Sequence, residues 1–145
     1  MIFAIKVHVI APGADTWVFD EQKTMYQGKQ VRAGDTIFIF DSENEGGSGL
    51  IAKGLVLASD PTPKKAGIER QTPRVSITVQ RVAVSTRQLG RSDLKPFSDW
   101  DDGRPQTELN FKFYRQATNK IVGLSEEASA FLAGHFKGLV RRGST

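Results

Sequence analysis

Hydrophobic and polar residues alternate along several short stretches of this chain, which is the pattern of strands with one buried face. The first strand is expected from Phe3 to Val9, with Lys6 and His8 on the face that meets solvent, and it ends at Pro12-Gly13. Three further strands are expected at residues 36–40, 50–59 and 75–84, which are rich in β-branched and aromatic residues. The strands at 36–40 and 50–59 flank an acidic, glycine-rich loop and predict a hairpin.

The strand at 75–84 changes its buried face partway along. Val75, Ile77 and Val79 share one face, whereas Val82 and Val84 have the opposite parity. This change predicts a bulge near Gln80-Arg81, and bulges allow strands to curve into barrels.

The stretch from Leu109 to Gly123 is expected to be the strand around which the chain is organised. Leu109, Phe111 and Phe113 alternate with polar neighbours. The expected strand ends in three recognition groups, Tyr114, Arg115 and Gln116. Such an end is typical of a pocket mouth, and the alternative is that Arg115 and Gln116 cap loop carbonyls.

The remaining segments predict peripheral helices and an ordered flap. Residues 14–30 favour a short helix, and residues 85–107 favour an ordered flap because Phe97 and Trp100 need packing partners. Ser125 is a good N-cap for a terminal amphipathic helix that extends to Val140. The chain is therefore expected to be a single α+β domain, residues 1–145, built on a small mixed β-barrel of five or six strands.

Composition excludes some functional classes. The chain has 145 residues, no cysteine and two histidines, so neither a thiolate nor a histidine-rich metal site is expected, and we expect no cofactor. We find no signal peptide and no apolar run near the roughly 20 residues of a membrane helix, so we expect a cytoplasmic protein without a membrane partner.

Positive charge is concentrated in the middle of the chain. The net charge is +4, and the segment from Asp60 to Lys95 carries eight basic residues against three acids. This basic segment suits an anionic partner, or else it is solvated loop charge. The candidate phosphate-binding residues in it are Lys64, Lys65, Arg70, Arg74, Arg87 and Arg91.

Three segments resemble EVE-type domains of the PUA-like superfamily. They read VRAGDTIFIF, SENEGGSGLIAKGLV and LNFKFYRQATNKIVGLSEEASAFL. In that family a Gly-Asp turn enters a barrel strand, a glycine-containing strand follows, and an FxFYRQ-like segment leads to the closing helix. The resemblance spans nearly the whole chain and implies a PUA-like mixed barrel related to YTH and ASCH domains.

The resemblance implies a non-catalytic module that recognises a modified nucleobase in DNA or RNA. An extruded base needs aromatic faces, hydrogen-bonding partners for its edge, and cations for the flanking phosphates. The candidate base-binding residues are Trp17, Phe40, Ser42, Asn44, Trp100, Tyr114, Arg115 and Gln116. Alternatively, Trp17 belongs to the core, Phe40 faces inward, and Ser42 and Asn44 only shape their turn.

Two other functions are open at this stage. Some ASCH domains resemble small amidohydrolases that use a lysine, a threonine and a glutamate, and Lys23, Thr24 and Glu43 or Glu45 are the candidates here. The adjacency of Lys23 and Thr24 argues against this, because neighbours on a strand face opposite ways. The third alternative is a protein-interaction module whose basic loops meet an acidic partner.

Overall fold

The computed structural model describes residues 1–63, 66–67, 71–116 and 118–136. In this part of the chain six strands close into a barrel in the order β1-β3-β4-β5-β2-β6. The strands are β1 Ile2–Val7, β2 Thr16–Met25, β3 Thr36–Asp41, β4 Gly49–Pro61, β5 Arg74–Val84 and β6 Lys120–Gly123. The helices are α1 Arg91–Leu94, α2 Pro105–Leu109 and α3 Glu126–Ala133, with a π-helix at Asn110–Tyr114 and 3-10 turns at Gly28–Gln30 and Glu43–Glu45.

The barrel mixes parallel and antiparallel pairs. Strand β1 runs parallel to β3 and antiparallel to β6, and β2 closes the barrel by pairing in parallel with β6. Strands β3, β4, β5 and β2 pair antiparallel in that order. Because β1 and β3 are parallel neighbours, their carboxyl ends meet at the same end of the barrel, and this end carries the candidate site.

Two apolar clusters stabilise the fold. The first fills the barrel and includes Phe3, Ile5 and Val7 on β1. The second lies outside β1 and β3, where α2, the π-helix and α3 cover Ala4 and Phe38. Strand β1 is therefore buried on both faces, as central strands of covered sheets are.

Several elements expected from the sequence are confirmed. The strands expected at 36–40, 50–59 and 75–84 are β3, β4 and β5, and the first two pair antiparallel. The bulge lies at Val82, where β5 carries one extra residue between the partners of Lys53 and Gly54. Ser125 caps α3 by accepting a hydrogen bond from the Ala128 N–H. The helix ends at Ala133 and Phe136 forms an isolated bridge with Ser85, so the expected continuation through Phe136 is wrong. Its expected end at Leu139 and Val140 falls outside the described residues.

Two further expectations about secondary structure and one about burial are wrong. Most of the stretch from Leu109 to Gly123 is not a strand: α2 runs into the π-helix, and only Lys120–Gly123 is extended. Leu109 and Phe113 are buried at i, i+4 spacing, so helical packing prevailed over the alternating pattern. In the range 14–30, where a short helix was expected, Thr16–Met25 form strand β2 and only Gly28–Gln30 form a 3-10 turn.

The error about burial concerns Lys6, which was expected on a solvent-facing side of β1. It has 1% of its surface exposed, because the π-helix region covers the outer face of β1. No helix of the described residues is long and apolar enough to cross a membrane.

Candidate nucleic-acid interface

Polar side chains gather where β1 and β3 end. We call this group the barrel-end cluster and define it as Lys6, Ser42, Glu43, Arg91, Tyr114 and Asn119. Lys6 comes from β1, and Ser42 and Glu43 follow β3 directly. Arg91 begins α1, Tyr114 ends the π-helix, and Asn119 precedes β6. Segments distant in sequence thus contribute to one site, and a π-helix within it is a feature frequently found at functional sites.

Glu43 is the centre of the hydrogen bonding in this cluster. Its carboxylate accepts the Tyr114 hydroxyl at 2.7 Å and the Arg91 backbone N–H at 3.0 and 3.1 Å. The backbone of Gly90 passes so close that a Cβ there would lie 2.8 Å from Glu43 Oε2. Burial, and then the bond to Glu43, raise the pKa of Tyr114 well above its usual range, so the phenol stays neutral and donates.

Two cations lie against the ring of Tyr114. Lys6 Nζ is 5.4 Å and the Arg91 guanidinium 5.6 Å from the ring centroid, within cation–π range. Burial, and then the charge of Arg91, lower the pKa of Lys6, while Glu43 and Glu45 oppose the change. Arg91 also donates to Asn44 Oδ1 at 2.6 Å. The site therefore holds positive charge beside an aromatic ring.

Lys120 fixes the turn that follows Tyr114. It pairs with Lys6 across β1 and β6, and its Nζ donates to the carbonyls of Gln116 and Thr118 at 3.3 and 3.0 Å. Burial, and then the charge of Lys6, lower the pKa of Lys120 to about 8. This buried amine ties the segment that carries Tyr114 to the barrel wall.

Two buried polar atoms of the cluster have no hydrogen-bond partner within the described residues: Ser42 Oγ and Asn119 Oδ1. The amide nitrogen of Asn119 donates to Glu45 at 2.8 Å, and His8 Nδ1 lies 3.9 Å from the same carboxylate. Buried polar atoms are normally satisfied, so these two are suited to a bound ligand or water. A hydroxyl and an amide oxygen together offer a donor and an acceptor.

A second group of the expected residues lies apart, at a cleft of about 250 Å³ beside α2. Trp100 meets Phe111 edge-on with ring centroids 5.4 Å apart, and the Arg115 guanidinium lies 4.6 Å from the Phe111 centroid. Glu108 also lines this cleft. Burial would raise the pKa of Glu108, but hydrogen bonds from Ser125 and Lys112 hold it below its usual value. A carboxylate there disfavours a phosphate.

The structure corrects two of the proposed aromatic walls. Trp17 is packed in the barrel core, stacked on Phe19, and its indole N–H donates to the Ala11 carbonyl at 2.9 Å. Phe40 is fully buried beside Phe113. Each faces the core because of its strand register, so neither presents a face to a base. Of the other candidates, Ser42, Asn44 and Tyr114 lie in or beside the barrel-end cluster, and Gln116 is exposed just beyond it.

Three of the candidate phosphate-binding residues lie in the described part of the chain, and these three do not form one patch. Arg74 lies at the start of β5 and donates to the Glu21 carbonyl, whereas Arg87 and Arg91 follow the end of that strand. Arg87 donates to the Gly134 carbonyl at 2.8 Å. Lys64, Lys65 and Arg70 lie outside the described residues.

The residues considered for hydrolysis, Lys23, Thr24 and Glu43, form their hydrogen bonds with other residues and not with one another. The Thr24 hydroxyl donates to the Pro73 carbonyl at 2.8 Å, and Glu43 is engaged by Tyr114 and Arg91. Lys23 pairs with Arg74 in the β2–β5 ladder. Within the described residues no group of three His, Asp or Glu side chains is placed to hold a metal ion.

Sequence reasoning missed Lys6 and Asn119 as members of the site. A lysine at an alternating position is normally read as solvent-facing, and a single asparagine in a loop carries no signal of its own. The nearby Tyr114 was found because the FYRQ segment carries the family resemblance.

No family model matches the chain, and no curated protein matches it either. Solved structures do match along nearly the whole chain. The DUF55 domain of human thymocyte nuclear protein 1 has a TM-score of 0.64 and 17% identity, covering 92% of this chain and 97% of that one. Human THYN1 in complex with 5-methylcytosine-containing DNA has a TM-score of 0.62 and 18% identity, with 94% and 98% covered.

A protein from Pseudomonas syringae has a TM-score of 0.59 and 14% identity, with 93% of this chain and 99% of that one covered. These likenesses show that the chain has the fold of the DUF55 domain. Together with the closed six-stranded barrel, they confirm the expected fold, a small mixed β-barrel with peripheral helices.

Proposed function

We propose that this protein binds nucleic acid and recognises a modified base, with 5-methylcytosine in DNA as the first candidate. The observation that carries the proposal is the fold shared, over 94% of the chain, with human THYN1, whose structure contains 5-methylcytosine DNA. The positive net charge of +4 supports an anionic partner. Fold alone does not fix function, so the site must supply the chemistry.

The barrel-end cluster supplies the groups that a base reader needs. The ring of Tyr114 offers an aromatic surface, and stacking of a base on such a ring contributes roughly 1–3 kcal/mol. The Ser42 hydroxyl and the Asn119 amide oxygen are buried without partners among the described residues. Cytosine presents an amino donor and ring acceptors, so Asn119 Oδ1 would accept from the amino group while Ser42 Oγ donates.

A cation at the edge of the cluster suits the phosphates of the extruded nucleotide. Arg91 is exposed there, with its guanidinium 5.6 Å from the Tyr114 ring centroid. Lys6 lies inside the cluster and interacts electrostatically with Glu43, which reduces the repulsion between this carboxylate and a nucleotide. The site therefore combines one aromatic face, one hydrogen-bond donor and one acceptor for the edge of the base, and positive charge at its rim.

Fluorescence anisotropy with matched oligonucleotides tests the proposal. The strands share one sequence and carry cytosine, 5-methylcytosine or N6-methyladenine at one position, as DNA and as RNA. Wild-type protein is expected to bind one modified strand more tightly than its plain counterpart. Equal affinity for every strand would contradict base recognition and leave only charge attraction.

Ser42→Ala locates the pocket. Losing a hydrogen bond to the base is expected to weaken binding of the modified strand by roughly 1 kcal/mol or more, about fivefold. Ser129→Ala is the matched control, because Ser129 is equally buried but bonds the Ser125 carbonyl within α3. An affinity for the modified strand that is unchanged in Ser42→Ala would contradict the assignment of the barrel-end cluster.

A further inference from the structure

A groove of about 590 Å³ crosses the barrel surface next to the proposed base site. It lies between the Pro12-Gly13 turn and the segment Ser85–Gln88, which follows β5. We call it the Arg81–Arg87 groove, after the two arginines that line it.

A short segment of the chain, residues 89–91, links the groove to the barrel-end cluster. The Leu50 N–H, at the groove floor, donates to the Leu89 carbonyl at 2.9 Å. The next residue, Gly90, lies against the carboxylate of Glu43, and Arg91 donates to that carboxylate. A nucleic-acid strand that leaves the cluster at Gly90 therefore meets the groove at Gln88, two residues earlier in the protein chain.

The chemistry of the groove suits a sugar–phosphate backbone. Its lining includes the apolar residues Leu50, Ile51 and Val84, and none of the described residues that line it is an aspartate or glutamate. Both arginines are held in place: Arg81 bonds Asp15 at 2.8 Å and the Gly13 carbonyl at 3.1 Å, while Arg87 bonds the Gly134 carbonyl. An arginine has five N–H donors, so each keeps donors for a phosphate and loses less entropy on binding.

We propose that the Arg81–Arg87 groove holds the backbone of the nucleic-acid strand that flanks the base in the barrel-end cluster. This rests on the proposed function, and it assigns to the groove a separate role. The groove contributes affinity that is independent of base identity, whereas the cluster contributes the preference for a modified base.

Salt dependence of binding tests the groove. Plain and modified DNA strands are titrated at several salt concentrations with wild type, Arg87→Ala and Arg32→Ala. Arg87 is chosen because it is exposed and its loss leaves the Arg81–Asp15 pair intact. Arg32 is the matched control, an exposed arginine that precedes β3 at the opposite end of the barrel.

Arg87→Ala is expected to reduce the slope of log K against log salt by roughly 0.7–0.9, equally for plain and modified strands. The ratio of the two affinities should stay at its wild-type value. Shortening the strand on one side of the base should remove the difference between wild type and Arg87→Ala, because the flanking phosphates are then missing.

Three outcomes would overturn the groove assignment. One is a slope in Arg87→Ala equal to that in Arg32→Ala. The second is a loss of base preference in Arg87→Ala, which would place Arg87 in base readout. The third is competition by polyglutamate that matches DNA at equal charge, which would assign the groove to acidic proteins. A wild-type protein that binds DNA without any base preference contradicts the proposed function alone, since the slope test can still be read on plain strands.

Discussion

Replacing Lys120 by methionine should change how the free energy of unfolding depends on pH. Lys120 has 1% of its surface exposed, and burial, followed by the charge of Lys6, lowers its pKa to about 8. Lysine in an unfolded chain has a pKa of about 10.4. Between these two values the unfolded state binds more protons than the native state, so the stability of the native protein rises with pH.

The magnitude follows from the difference between the two pKa values. Burying the charged amine costs roughly 3 kcal/mol below about pH 8, and the cost is relieved as the pH rises towards 10.4. From about pH 7 to about pH 9.5, wild type should gain roughly 2 kcal/mol relative to Lys120→Met. The hydrogen bonds to Gln116 and Thr118 are lost in the variant at every pH, so they do not affect this difference.

Urea denaturation of both proteins across this pH range measures the effect. Lys53→Met is a suitable control, because it makes the same substitution at a lysine on β4 that is only half-buried. If the profile of Lys120→Met runs parallel to wild type, the native amine is not desolvated and the account of Lys120 is wrong.

Three further substitutions test the packing around the site, each by urea denaturation at neutral pH. Tyr114→Phe removes the hydrogen bond to Glu43 and should lower the free energy of unfolding by about 1.5 kcal/mol. Ser125→Ala removes the N-cap of α3 and a hydrogen bond to Glu108, which should cost about 1–2 kcal/mol. Phe113→Ala leaves a cavity under the π-helix and should cost about 3–5 kcal/mol. Changes below about 0.5 kcal/mol would contradict each assignment.

The sequence was sufficient to predict the strands whose pattern is local. Strands β3, β4 and β5 are rich in β-branched and aromatic residues and are bounded by clear turns, and even the bulge at Val82 followed from the change of face. Ser125 and the two glutamates after it marked the start of α3. These features depend on neighbours in sequence, so they need no knowledge of the fold.

Strand β2 was misread because its pattern is interrupted. Trp17 and Phe19 alternate with Val18, but Glu21 adopts a positive φ of 47° and the pairing register shifts between Phe19 and Gln22. The irregularity breaks the period of two over a 10-residue strand. The segment therefore lacks the regular sequence pattern from which the other strands were predicted.

The π-helix and the burial of Lys6 depend on tertiary structure. Leu109, Phe111 and Phe113 fit a strand by alternation, yet Leu109 and Phe113 also fit one face of a helix. Tertiary packing decides between the two patterns, because the segment packs as a helix on the outer face of β1. The same cover buries Lys6 and brings it to Tyr114, a contact between residues 6 and 114 that no local pattern contains.

The central claim is tested most directly by competition between two DNA strands that differ in a single methyl group. A labelled strand bound to wild-type protein is displaced by unlabelled strands of one sequence, carrying cytosine or 5-methylcytosine at one position. Burying one methyl group contributes about 0.8 kcal/mol, so the account predicts that the methylated strand competes about fourfold better. Identical competition by the two strands, together with an equal response to every other modified base, would contradict it.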